Sequence, residues 1–216
     1  MDIAILLFDR LTVLDAVGPF EVLSRLPGAE VRFVAREPGR KAAAQGGASL
    51  HADFPLAQAS RPDVVVIPGG PGEEAVRGDP EVLDWLAGVH RTSQWTCSVC
   101  TGSLVLAAAG LLRGVRATSH WLALETLRTL GAIPVPERVV IEGKIITAAG
   151  VSAGIDMALV LAARIAGERE AQAIQLSIEY DPRPPFRTGS PSSAPEDLVS
   201  ELRRKSRFFR RDSKPG

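Results

Sequence analysis

Cysteine is scarce in this chain, two among 216 residues, at Cys97 and Cys100. Two thiols make no disulfide framework, so the fold has to rest on its core, and a reducing, cytoplasmic setting is expected. Net charge is missing too: 25 basic side chains balance 25 acidic ones. Nothing global therefore draws the chain to nucleic acid or to a membrane surface. Long apolar runs are lacking, since Ser103 to Leu112 and Met157 to Ala166 fall well below the ~20 residues of a membrane span. The apolar run Ile3 to Phe8 follows Asp2 and stops at Asp9-Arg10, too short and too acidic for a secretory signal. Three histidines, His51, His90 and His120, are too scattered for a zinc site, and neither a metal nor an organic cofactor is expected. No internal repeat or heptad pattern occurs. What is abundant is apolar residue, at 45%, enough for one sizeable domain with a full core.

Short unbroken apolar runs alternate with amphipathic ones. Ile3 to Phe8, Val31 to Ala35 and Asp63 to Ile67 show no alternation, as strands buried on both faces of a parallel sheet require. Within Leu14 to Leu26, Pro19 at a first helical position with apolar Phe20, Leu23 and Leu26 reads as a helix ended by Pro27-Gly28. Glu37 to Pro55, with Gly39, Gly46 and Gly47, reads as a β-excursion or hairpin. A helix opens at Asp79-Pro80-Glu81, with Asp79 as its cap. Leu111 to Ala117 reads as extended, followed by a helix from His120 to Leu130 capped by Ser119. Val139-Val140-Ile141 and Lys144-Ile145-Ile146-Thr147 face each other across Glu142-Gly143 as a hairpin. Helices through Ala166 and from about Glu168 to Ile178 complete a domain over residues 1–180. Residues 181–216 read as a proline-rich arm and a basic tail, packed on or extending from that domain, with a short helix from Pro195. The tail Arg203 to Arg211 carries Phe208 and Phe209; a solvated or docking end is favoured over nucleic-acid binding. Alternating strands and helices imply an α/β three-layer sandwich on a mostly parallel sheet.

Three stretches stand at carboxyl ends of strands, where open α/β sheets bind ligands. Trp95 to Gly110 reads as a strand, an abrupt turn at Cys100 and a helix. Ser98 and Gly102 sit two residues either side of Cys100, the small neighbours that a nucleophile elbow needs. The N–H groups of the following helix would favour thiolate; the plain alternative is a small buried hydrophobe. Pro68-Gly69-Gly70-Pro71-Gly72 lets backbone approach a ligand and aim N–H groups at it. That loop has neither the spacing of a dinucleotide fingerprint nor the lysine of a phosphate loop. Asp15 follows the first strand, facing this edge or capping its helix. His120, beside Trp121, is a base candidate or a structural ring. Cys97 makes a C-x-x-C with Cys100, yet three extended residues hold the two Cα atoms ~10 Å apart, too far for a disulfide.

These residues resemble the DJ-1/PfpI superfamily, whose fold is flavodoxin-like and shared with class I glutamine amidotransferases. The resemblance runs through Leu14-Asp15, Gly18-Pro19, Ile67-Pro68-Gly69-Gly70, Ser98 to Gly102, Ala108 to Leu112, Ala117 to Trp121 and Gly150 to Asp156. Within the superfamily the chain is most similar to the isocyanide hydratases, including Gln175 to Tyr180, Pro184-Pro185-Phe186 and Gly189-Ser190-Pro191. The resemblance implies a homodimer with its site near the interface, Cys100 as nucleophile, Asp15 as the acid facing it, and Thr101 beside it. Gly69, Gly70 and His120 are the expected substrate or oxyanion contacts, and a small molecule is the expected substrate. Protease-like members carry His directly after the elbow cysteine; Thr101 stands there instead, which removes the obvious proton carrier for peptide hydrolysis. The implied reaction is hydration of an isocyanide through a thioimidate on Cys100. Alternatives are a redox sensor acting through oxidation of Cys100, a hydrolytic or aldehyde-directed activity of the same thiol, and an amidase-like domain of the kind fused to helix-turn-helix regulators. The chain ends too soon after its last core helix to be expected to hold such a module.

Overall fold

The computed structural model describes residues 1–209. In chain order the elements are β1 (Asp2–Leu6), α1 (Val13–Leu23), β2 (Glu30–Ala35), β3 (Gly39–Ala42), β4 (Ser49–Ala52), β5 (Phe54–Pro55), β6 (Val64–Ile67), α2 (Glu73–Arg77), α3 (Pro80–Thr92), β7 (Trp95–Val99), α4 (Gly102–Ala108) and β8 (Arg116–Ala117). They continue as α5 (Leu124–Thr129), β9 (Ile133–Pro134), β10 (Val139–Glu142), β11 (Ile145–Ala148), α6 (Ala153–Ala166), α7 (Glu168–Ser177) and α8 (Glu196–Lys205). Seven strands form one sheet in the order β10-β11-β7-β6-β1-β2-β5. Every pairing is parallel except β10 with β11. Helices α1, α6 and α7 pack together, as do α2, α3 and α4, giving the sandwich expected of fully buried strands.

The central strands are apolar on both faces because both faces are covered. Val64, Val65, Val66 and Ile67 are all buried, as are Ile3, Ala4, Ile5 and Leu6. The chain leaves β1 toward β2 on one side, while β6 and β7 lie on the other. Loops leaving β1 and β6 therefore diverge, opening a crevice at the carboxyl edge.

The helix expected to begin near Pro19 begins six residues earlier, at Val13, with Thr12 at its N-cap position. A proline interior to a helix forfeits one hydrogen bond and crowds the carbonyl four residues back. Here the ring instead packs where α1 meets α6: its Cδ lies 3.3 Å from where a Cβ on Gly154 would stand. That contact keeps Pro19 inside the helix and places Asp15 in the first turn. The helix expected over His120–Leu130 is a 3-10 turn, Trp121–Ala123, followed by the short α5. His120 rather than Ser119 caps it, its Nδ1 accepting from the Leu122 N–H at 3.3 Å. Leu111 to Val115 turns rather than extends, and only Arg116–Ala117 forms a strand, paired with β9. Asp79 caps α3 as expected, accepting from the Glu81 N–H at 3.0 Å, and β3 with β4 and β10 with β11 form the two hairpins.

Two cations of the basic tail turn onto the body of the molecule, while Lys205 pairs with Glu201 within α8. Arg203 stands 5.9 Å over the Trp121 ring and Arg207 pairs with Glu73. Arg210 and Arg211 lie outside the described residues.

Candidate active site

Cys100 occupies the residue between β7 and the start of α4, with φ at +57°. A non-glycine residue adopts that left-handed conformation only where its surroundings enforce it. Here the backbone is tied at both ends. The Cys100 N–H donates to the carbonyls of Ala148 and Ala149 at 3.1 and 3.0 Å. Its own carbonyl accepts from Ser103 Oγ at 3.2 Å and Ser119 Oγ at 3.1 Å. Gly102 must be glycine, because a Cβ there would stand 2.0 Å from the Ile67 carbonyl oxygen.

Asp15 reaches the same point from α1 and is fully buried. Its Oδ2 accepts from the Gly69 N–H at 2.9 Å. Oδ1 takes no well-aligned hydrogen bond among the described residues; the polar group that the carboxyl faces is the Cys100 thiol, loosely hydrogen-bonded to it. Burial pushes the carboxyl up to about 7, against the opposing pull of the Gly69 N–H. Thr101 lies beside them, its Oγ1 accepting from the Gly70 N–H at 3.0 Å. A side chain on Gly69 would meet the Thr101 N at 2.5 Å, so the two backbones touch and glycine is obligatory there.

Two expectations are corrected by this arrangement. The N–H groups of Gly69 and Gly70 are already engaged, one by Asp15 and the other by Thr101, so they position the pair instead of standing free for an oxyanion. The start of α4 does not dominate the thiol either. Burial and the neighbouring Asp15 carboxylate push Cys100 up, outweighing the Thr101 and Val151 N–H groups that hydrogen-bond to its sulfur. Above about pH 7 the Cys100–Asp15 pair therefore keeps one proton, on the sulfur beside the carboxylate, and the two groups titrate together.

Val151, Ser103 and Ser119 were not readable as site residues. Val151 holds φ at +44°, which turns its N–H to the sulfur; a β-branched residue gives no sequence hint of that conformation. Ser119 had the chemistry of a cap, but its hydroxyl serves the Cys100 carbonyl. His120 stands in the wall of a cavity of about 520 Å³ together with Ser119, Trp121, Gly150, Val151 and Ser190. The sulfur does not line this cavity, but Ser119 and Val151, which both bond to Cys100, do. Burial lowers the basicity of His120, and its Nδ1 is occupied as an acceptor. Cys97 is fully buried inside β7, and both cysteines are free thiols. Among the described residues no group of His, Cys, Asp or Glu has metal-binding geometry, and no helix is long and apolar enough to cross a membrane.

The DJ-1/PfpI family model matches residues 1–164. An isonitrile hydratase of Pseudomonas putida is 42% identical over 210 residues, covering 95% of this chain and 90% of that protein. The crystal structure of a ThiJ/PfpI family protein from Pseudomonas syringae matches with a TM-score of 0.92 at 36% identity, over 96% of this chain and 86% of that one. A helix-turn-helix transcriptional regulator of Pseudomonas aeruginosa, CdhR, is 32% identical over 80% of this chain, which spans only 52% of the regulator.

Proposed function

This chain belongs to the DJ-1/PfpI family, and from that membership we propose that it is a cysteine-dependent hydratase turning an isocyanide into an N-substituted formamide. The observation that carries the reading is the pairing of a left-handed elbow thiol with a fully buried carboxyl whose second oxygen has no other aligned partner. The isonitrile hydratase at 42% identity supports the same substrate class. Access supports it as well. Cys100 is only 5% exposed, and a linear R–N≡C presents its electrophilic carbon as an unsubstituted tip. A carbonyl carbon, carrying two substituents, fits such an opening less well.

The pair supplies what the chemistry requires. Cys100 Sγ bonds to the terminal carbon as its proton passes to Asp15, and Asp15 delivers that proton to the same carbon, giving the thioimidate R–N=CH–S. Water then adds to this carbon, with Asp15 taking one of its protons and passing it on to the nitrogen. Collapse of the R–NH–CH(OH)–S adduct breaks the C–S bond, forms the formamide carbonyl and returns a proton to sulfur. Net, one water is added and nothing is oxidised or reduced. The Thr101 and Val151 N–H groups that point at the sulfur steady its charge as it attacks and as it leaves. Thr101 Oγ1, held by Gly70, orients substrate or water, and His120 in the cavity wall contacts the R group. A homodimer in the cytoplasm, with its contact near Cys100, belongs to the same reading, and light scattering on the purified chain measures its mass.

Loss of the isocyanide infrared stretch is the direct assay. Wild type removes the band and forms formamide, Cys100→Ala does neither, and intact mass after quenching shows one substrate adduct on wild type only. Turnover by Cys100→Ala would end the covalent mechanism. The redox-sensor alternative is disfavoured because burial and Asp15 keep the thiol protonated, whereas sensors depend on an accessible thiolate.

A further inference from the structure

Beyond α8 the chain returns to the turn that follows β6. Arg207 Nη1 donates to the Pro71 carbonyl at 3.1 Å, and Nη2 to the Gly70 carbonyl at 3.5 Å and to Glu73 Oε1 at 2.6 Å. Glu73 opens α2 and is fully buried; its other oxygen accepts from Arg77 Nε at 2.5 Å. The Gly70 carbonyl also accepts from the Glu73 N–H at 3.1 Å. One side of the turn is thus gripped by Arg207 and Glu73. From its other side, the N–H groups of Gly69 and Gly70 hold Asp15 and Thr101.

We propose that Arg207 is a positioning residue: by fixing the Gly70 and Pro71 carbonyls it sets the turn that holds Asp15 and Thr101 against Cys100. The proposal rests on Cys100 and Asp15 being the reacting pair, and not on isocyanide being the substrate. A planar guanidinium suits the task because its fork reaches three acceptors in different directions, which a lysine ammonium on one stem does not reproduce. A buried Glu73 is tolerable only while it is paired. Burial raises its carboxyl pKa, and Arg77 and Arg207 both oppose that. The charged groups about Arg207 are Glu73, which Arg77 shares, and Glu74, whose Oε2 is 3.5 Å away; the titratable group facing Asp15 is Cys100.

The test compares wild type with Arg207→Ala, Arg207→Lys and, as a control, Arg204→Ala on the exposed side of α8. The rate of Cys100 alkylation by iodoacetamide is followed by peptide mass between about pH 5 and 9, together with thermal melting and isocyanide kinetics. Loosening the turn weakens the Gly69 N–H bond that favours carboxylate, so the Asp15-linked limb of the Cys100 profile should move up by about half a pH unit or more in Arg207→Ala. Its kcat should fall about tenfold with KM held within about twofold, the pattern of a mispositioned reacting group. Arg207→Lys should lie between, and Arg204→Ala should match wild type. Alkylation profiles of Arg207→Ala and Arg207→Lys that superimpose on wild type, even with a lowered melting temperature, would overturn the proposal. If Arg207→Ala does not fold, Arg207→Lys decides alone, because it keeps the charge opposite Glu73. If wild type leaves isocyanides untouched, the alkylation arm still decides.

Discussion

A left-handed backbone at a cysteine carries a strain of order 1–3 kcal/mol, and at Cys100 four hydrogen bonds offset it. The return is a thiol facing one carboxyl. Because burial lifts Asp15 to about 7, the pair binds two protons below that pH and one above it. The one-proton form can pass its proton from sulfur to carboxyl as attack begins, so kcat/KM should rise with unit slope up to about pH 7 and level off above it. Asp15→Asn keeps the acceptor for the Gly69 N–H but cannot relay a proton; it should lose about 100-fold or more in kcat, the usual scale of acid–base assistance, and lose the pH step with it. His120 makes a useful contrast. Burial holds its ring neutral and its Nδ1 is spent on the Leu122 N–H. His120→Asn, which can still accept that bond, should raise KM several-fold and leave kcat within about threefold, since only substrate contact is lost. A hundredfold fall in kcat would make the ring the base after all.

At the level of elements, packing of the elbow against β6 demands small residues in a way that separates two glycines. Gly102→Ala sets a methyl 2.0 Å from the Ile67 carbonyl oxygen, a backbone atom with nowhere to go. It should destabilise by roughly 3 kcal/mol, at the upper end for overpacking, and should lower activity by displacing Cys100. Gly18→Ala meets Ile155 Cγ1 at 3.1 Å, the movable end of a side chain. Its helix propensity gains roughly 1 kcal/mol, so its denaturant midpoint should stay near that of wild type. The buried strands, the two hairpins and the elbow at Cys100 were legible because apolar runs, tight turns and flanking small residues have local causes. The start of α1 was not, because Pro19 is tolerated by a contact with α6 that lies far along the chain. Local sequence around Ser119 suits a helix cap, yet its hydroxyl goes to the Cys100 carbonyl. The Gly69-Gly70 pair signals N–H groups aimed at a target, but the targets, Asp15 and Thr101, come from other elements. Val151 gave no signal at all, its positive φ being set by the β11–α6 junction.

Across the whole molecule, the sheet order puts β1, β6 and β7 side by side, so three segments far apart in sequence end at one edge and a carboxyl is sealed there. That sealing has a thermodynamic signature. An unfolded aspartate titrates near 3.9, whereas native Asp15 titrates at about 7, so the folded chain binds this proton more tightly. Its stabilising effect is complete below about pH 4 and is lost as pH rises to about 7. Glu73 is shifted in the same direction, while His90 and His120, lowered by burial, have the opposite sign and weaken the fold as pH falls below about 6.5. Only the difference between wild type and Asp15→Asn isolates the one group. From urea unfolding at a series of pH values, the variant's advantage should grow between pH 4 and 8 by on the order of 3–4 kcal/mol, nearly all of it below pH 7. A carboxyl that makes the fold less stable at neutral pH is the expected mark of a group placed for reaction. A pH-independent difference would mean that Asp15 ionises like an ordinary aspartate, and the proton transfer proposed between Cys100 and Asp15 would go with it.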